Sequence, residues 1–249
     1  MIAHLRSIIF SLLFFFGIEG IISFALLGEK IGIAIIVALL VVSVFSGYNV
    51  GKKIIYTFLP LAISASSLSL LYFIDDLGER QIFGGFVSIL FYMVLLGIKR
   101  ICKNSFDMTA RSFFSATLIA TVFLFYAAIY GFYINFDISL WIFILVHFIF
   151  VTMVTFVSLR AYSSDTQRVL LYSVIIGFAM IQLVWMANFW PFGYLTMATI
   201  SLMFYYVLWD LVQMVFLDTL SKKRIIITII YCVVLSLTVL LTTQWLLVG

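Results

Sequence analysis

The chain has 249 residues, of which 65% are hydrophobic and only 10% charged, with a formal net charge of +4. A soluble domain carries roughly 25% charged residues, so this composition excludes a water-soluble globular protein and leaves a polytopic membrane protein. The cations sit in short connections where membrane topology accounts for them, which removes the usual inference from a basic chain to nucleic acid.

Nine apolar runs follow in chain order: 5–27, 31–48, 54–74, 82–98, 113–134, 140–159, 169–187, 194–217 and 225–247. Each is close to the roughly 20 residues that cross a hydrocarbon core as a helix. The expected fold is therefore all-α: one integral membrane domain over residues 1–249, a bundle of about nine spanning helices. The second and fourth runs are the shortest. No linker-like stretch interrupts the chain, and the longest inner connection, from Lys99 to Arg111, is too short to fold alone. Arg6 at the start of the first run, ahead of its long apolar stretch, looks like the charged start of a signal peptide, but Glu19 inside the run disfavours that reading, and the segment is expected to stay as a helix.

Orientation follows from the cations, which are retained on the cytoplasmic side. With the N-terminus inside, twelve Lys and Arg fall in inner segments, and only Lys30 and Arg80 lie outside. Trp141, Trp185, Trp190 and Trp245 then sit near outer helix ends, where tryptophan prefers the interface. The expectation is a cytoplasmic N-terminus and an external C-terminus in the bacterial cytoplasmic membrane. Cys102 and Cys232 both fall near the inner side, so no disulfide is expected.

Polar residues inside the spans carry the functional information, because an ionisable group at the bilayer centre costs about 2.5–3.5 kcal/mol on insertion scales. Counting helical rise from the nearest inner cation puts Glu19, His147, Gln182 and Asp210 roughly 18–21 Å deep. Ser64, Ser66 and Ser67 fall at a similar depth. Gln213 and Tyr206 share a helical face with Asp210. Glu19, His147, Gln182, Asp210 and Gln213 are thus a candidate mid-membrane polar layer. It reads either as a proton or solute site or as a set of helix-packing hydrogen bonds.

Other chemistries lack their residues. No lysine sits inside a span to hold retinal, and His4 and His147 lie at different depths for a haem. No His pair with a glutamate at helical spacing suggests a metalloprotease, and Asp75 with Asp76 reads as a solvated turn more readily than as a cation site. No catalytic residue, cofactor or metal is expected. Small residues such as Gly17, Gly47, Gly51 and Gly84 read as points of close helix approach.

Three short motifs carry a likeness. Leu59-Pro60-Leu61-Ala62 through Leu70-Leu71-Tyr72-Phe73, the turn Asn188-Phe189-Trp190-Pro191, and Leu240-Leu241-Thr242-Thr243-Gln244-Trp245 resemble an uncharacterised family of small polytopic bacterial membrane proteins, a domain of unknown function. The resemblance implies a multi-helix membrane protein and brings no catalytic residue with it. The leading expectation is a non-enzymatic subunit of a membrane assembly or a small permease, with the lipid bilayer and a membrane-protein partner or second copy as contacts. The alternatives are a proton-linked or solute transporter using the polar layer, and an enzyme on lipid-linked substrates at the inner rim near Asp218, Lys222, Lys223 and Arg224.

Overall fold

The structure is a computed structural model that describes residues 2–24, 29–103 and 107–243. Among the described residues there are nine α-helices and no strand. They are α1 (Ile2–Phe24), α2 (Glu29–Gly51), α3 (Phe58–Leu71), α4 (Leu77–Lys103), α5 (Met108–Asn135), α6 (Leu140–Leu159), α7 (Thr166–Ala187), α8 (Tyr194–Phe216) and α9 (Lys222–Thr242), with a 3-10 turn at Ile54–Thr57 leading into α3. Nine helical segments among the described residues are long and apolar enough to cross a membrane, the third counting its 3-10 turn.

The helix ends differ from the apolar runs in an instructive way. The second and fourth runs looked shortest, yet α2 has 23 residues and α4 has 27. Charged residues close an apolar run but not a helix: Glu79 and Arg80 at one end of α4, and Lys99 to Lys103 at the other, are helical. Long cationic side chains reach the interface from such positions. The shortest α-helix is instead α3, at 14 residues. Pro60 sits in its first turn, where a missing N–H leaves no helix bond unmade.

Acids outside the spans fix helix starts. Asp76 accepts from Glu79 N at 3.0 Å, Asp107 from Thr109 N at 3.0 Å, and Asp165 from Gln167 N and Arg168 N at 3.1 Å each. Each satisfies N–H groups that the first turn leaves without a helical acceptor. Asp76, weighed above as half of a cation site, is thus engaged as a cap of α4. Lys52 and Asp218 end their helices with positive φ, at 52° and 51°.

The helices group into two compact units, Met1–Phe125 and Tyr126–Gly249, and the division falls inside α5. In the first unit α1 packs on α2 and α4, and α3 packs on α2 and α4. Phe14 stacks on Phe91 with ring centroids 4.4 Å apart. Gly47 lets the chain pass closely, since a Cβ there would lie 2.8 Å from the Thr57 backbone. In the second unit α6 packs on α7, α7 on α8, and α8 on α9. Gly177 of α7 lies against Thr152 and Phe148 of α6, where a Cβ would collide with the Thr152 hydroxyl. No residue of α9 is buried. Trp141 is 80% exposed at the start of α6, and Trp185 is exposed near the end of α7, whereas Trp245 lies outside the described residues. Cys102 and Cys232 are free. Cys232 stands about half-way along α9 rather than near its end.

Candidate functional site

In the first unit, Glu19 follows the buried Ile18 on α1 and is part-exposed. No hydrogen bond or ion pair to it is found among the described residues. Several serines of this unit are engaged with backbone or with one another, whereas the buried Ser7 hydroxyl has no partner among the described residues. Ser43 and Ser64 share a short hydrogen bond between α2 and α3, and Ser64 also donates to the Pro60 carbonyl at 2.8 Å. Ser67 donates to the Ser64 carbonyl at 3.1 Å, and Ser11 of α1 donates to the Ser88 carbonyl of α4 at 2.9 Å. Serine is small enough to let helices approach and polar enough to bond across the contact.

In the second unit, His147 is 1% exposed within an aromatic cluster. Its Nδ1 lies 2.8 Å from the Phe143 carbonyl one turn earlier. A carbonyl can only accept, so Nδ1 carries the proton in this contact. Ring centroids of Phe143, Tyr126 and Tyr130 stand 4.3, 5.3 and 5.6 Å from the imidazole. Around this cluster α8 is pinned by hydroxyls. Tyr130 and Ser201 share a hydrogen bond at 3.3 Å, as do Thr155 and Tyr205, and Trp209 Nε1 donates to Ser158 Oγ at 2.8 Å. Ser201, Tyr205 and Trp209 recur every four residues, so one face of α8 presents three polar tips in a row.

Asp210 follows Trp209 and so points about 100° round the helix from it. There its Oδ2 accepts from Thr228 Oγ1 of α9 at 3.3 Å. Tyr206 on the same face is exposed, and Asp210 and Gln213 are part-exposed. Arg224 precedes Thr228 by one turn, which puts it on the same face of α9. A hydroxyl at 3.3 Å is long for an O–H···O bond, whose usual range is about 2.5–3.0 Å. Among the described residues no second hydrogen-bond donor reaches this carboxylate, and the Arg224 charge acts on it from α9.

Gln182 is exposed on α7, off the face formed by Ser173, Gly177, Met180 and Val184. The polar residues of the second unit thus have three surroundings: His147 in the aromatic cluster, Asp210 with Tyr206 and Gln213 toward α9, and Gln182 on an exposed face. Glu19 belongs to the other unit. Tyr126, Tyr130 and Tyr205 are large, almost fully buried side chains of the second unit's core and were not singled out from sequence. The i, i+4 spacing of Tyr126 with Tyr130, and of Ser201, Tyr205 and Trp209, is the signal that marks them.

A family model described as "Protein of unknown function (DUF5656)" matches residues 20–244. The chain belongs to the DUF5656 family. The three motifs that suggested an uncharacterised family all lie within that span but for Trp245. The DUF5656 match begins one residue after Glu19, whereas His147, Gln182, Asp210 and Gln213 lie inside it. No curated protein and no solved structure matches this DUF5656 chain.

Proposed function

We propose that the protein works in the bacterial cytoplasmic membrane without catalytic chemistry, as an embedded subunit of a larger membrane assembly. Its N-terminus is cytoplasmic and its C-terminus external in this reading, which the distribution of cations supports. One observation carries the non-catalytic reading: the buried hydroxyls of Thr155, Ser158 and Ser201 each meet a tyrosine or tryptophan from another helix. Such pairs hold helices in register.

A second reading, proton-linked or solute transport, is favoured by Asp210 alone, which receives one long hydrogen bond from a neutral donor. Asp210→Asn separates the two, because the amide keeps an acceptor for Thr228 and loses the charge. A strain whose native copy is replaced by the variant is expected to match the wild type in growth and in the amount of protein in the membrane. Loss of growth at an unchanged protein level would contradict the subunit reading and favour transport. Orientation is tested by a reporter enzyme, active only outside the cytoplasm, fused after Gly249: activity is expected, and its absence would reverse the assigned topology.

A further inference from the structure

In the first unit a groove of about 460 Å3 opens between α1 and α4. Its walls include Leu12 and Phe15 on one side and Gly85, Ser88, Ile89 and Tyr92 on the other. The groove exists because its floor is made of small residues held close. Ser11 donates to the Ser88 carbonyl at 2.9 Å, Ser88 donates to the Gly84 carbonyl at 2.7 Å, and a Cβ on Gly85 would meet no heavy atom within 4 Å. Leu12 and Ile89 stand exposed at its edges. In a spanning helix an exposed apolar edge faces hydrocarbon, so the groove is open to acyl chains.

One end of this apolar groove leads to cations. At 100° per residue, Gly85, Ser88, Tyr92, Lys99 and Lys103 fall within about 60° of arc on α4. Lys99 lies about 10 Å along the axis from Tyr92 and about 21 Å from Gly85. That span compares with the roughly 15 Å half-thickness of a hydrocarbon core plus its headgroup layer. Lys99 is half-buried, its ammonium nitrogen has no hydrogen-bond partner among the described residues, and Lys103 and Arg100 are near it. Arg100 has Asp107 at 3.9 Å, while Lys103 is exposed. Retention of cations on one side of the membrane explains the sign of this cluster. It does not explain a half-buried ammonium that has no acceptor among the described residues and stands in line with an apolar groove, where an anion would give it a charge-assisted partner.

We propose that the α1–α4 groove holds one anionic phospholipid from the leaflet on the Lys99 side. An acyl chain lies along Leu12, Gly85 and Ile89, and the phosphate is met by Lys99 and Lys103. Basic sites between spanning helices at the membrane surface recognise lipid headgroups in this way. The inference needs the chain to be in a membrane and is independent of the subunit reading.

The test is native mass spectrometry of the delipidated full chain in detergent, titrated with phosphatidylglycerol or with phosphatidylcholine of the same acyl chains. Wild type is expected to retain one phosphatidylglycerol in preference to phosphatidylcholine. Lys99→Met is expected to lower that preference about fivefold, the factor for one cation near the membrane surface. Gly85→Leu fills the groove and is expected to weaken retention of both lipids. Gly32→Leu, where a Cβ likewise meets nothing within 4 Å, reports the general effect of such a change and is expected to leave retention unaltered. Equal retention of the two lipids by wild type, or unchanged retention by Gly85→Leu, would overturn the proposal. A chain that stays monodisperse without detergent would instead overturn its placement in a membrane.

Discussion

Tyr205 and Asp210 sit five residues apart on α8 and show how differently one helix can use its polar groups. Tyr205 is fully buried, and its hydroxyl meets Thr155. Asp210 faces α9 with a single hydroxyl donor among the described residues. If the buried hydroxyls only secure packing, Tyr205→Phe should cost about 0.6 kcal/mol, the average for such bonds in membrane proteins. Tyr205→Ala should cost about 3–5 kcal/mol, as loss of a buried aromatic ring does. Unfolding in mixed micelles measures both, and equal losses would mean that the hydroxyl rather than the ring dominates. The presence of His147 and Asp210 inside spans was legible from the sequence, because ionisable residues stand out in apolar runs. Their partners were not, since lipid is as apolar as a protein core and the pattern of apolar residues cannot tell a lipid-facing side from a packed one. Gln182 illustrates this: its depth resembles that of His147, yet it is exposed where His147 is enclosed.

At the scale of elements, caps and close approaches set where helices begin and how near they lie. Asp165→Ala should lose about 1 kcal/mol, because the cap of α7 disappears. Asp218 holds a left-handed conformation that L side chains adopt at a cost of roughly 1–2 kcal/mol. Asp218→Gly should therefore raise the thermal midpoint of the detergent-solubilised protein. A fall would show that the Asp218 side chain contributes more than its backbone strain costs. Gly177→Leu should destabilise by about 1–3 kcal/mol, as overpacking does, because the side chain would meet Thr152 and Phe148. All nine helices of the described residues were readable from hydropathy, and α6 matches its apolar run from Leu140 to Leu159. The extension of α4 into its charged ends was not, because a hydropathy run stops at a charge whereas a helix stops only where its backbone bonds do. The 3-10 entry to α3 likewise leaves no mark in an apolar run.

At the scale of the whole molecule, the chain is a DUF5656 protein whose helices suit a membrane and whose second unit joins α5, α6 and α8 through buried hydroxyls. On the proposed subunit reading these hydroxyls stay inside and apolar faces meet the surroundings, with Gln182 an exposed polar exception. Helix α9 is the extreme case, with no buried residue along its length. The most direct test is the mass of the particle released from its native membrane in lipid nanodiscs, with the chain at its natural level. A particle containing at least one further protein chain beyond the 28.4 kDa of this one is expected. A particle holding a single copy and lipid alone would contradict the proposed role.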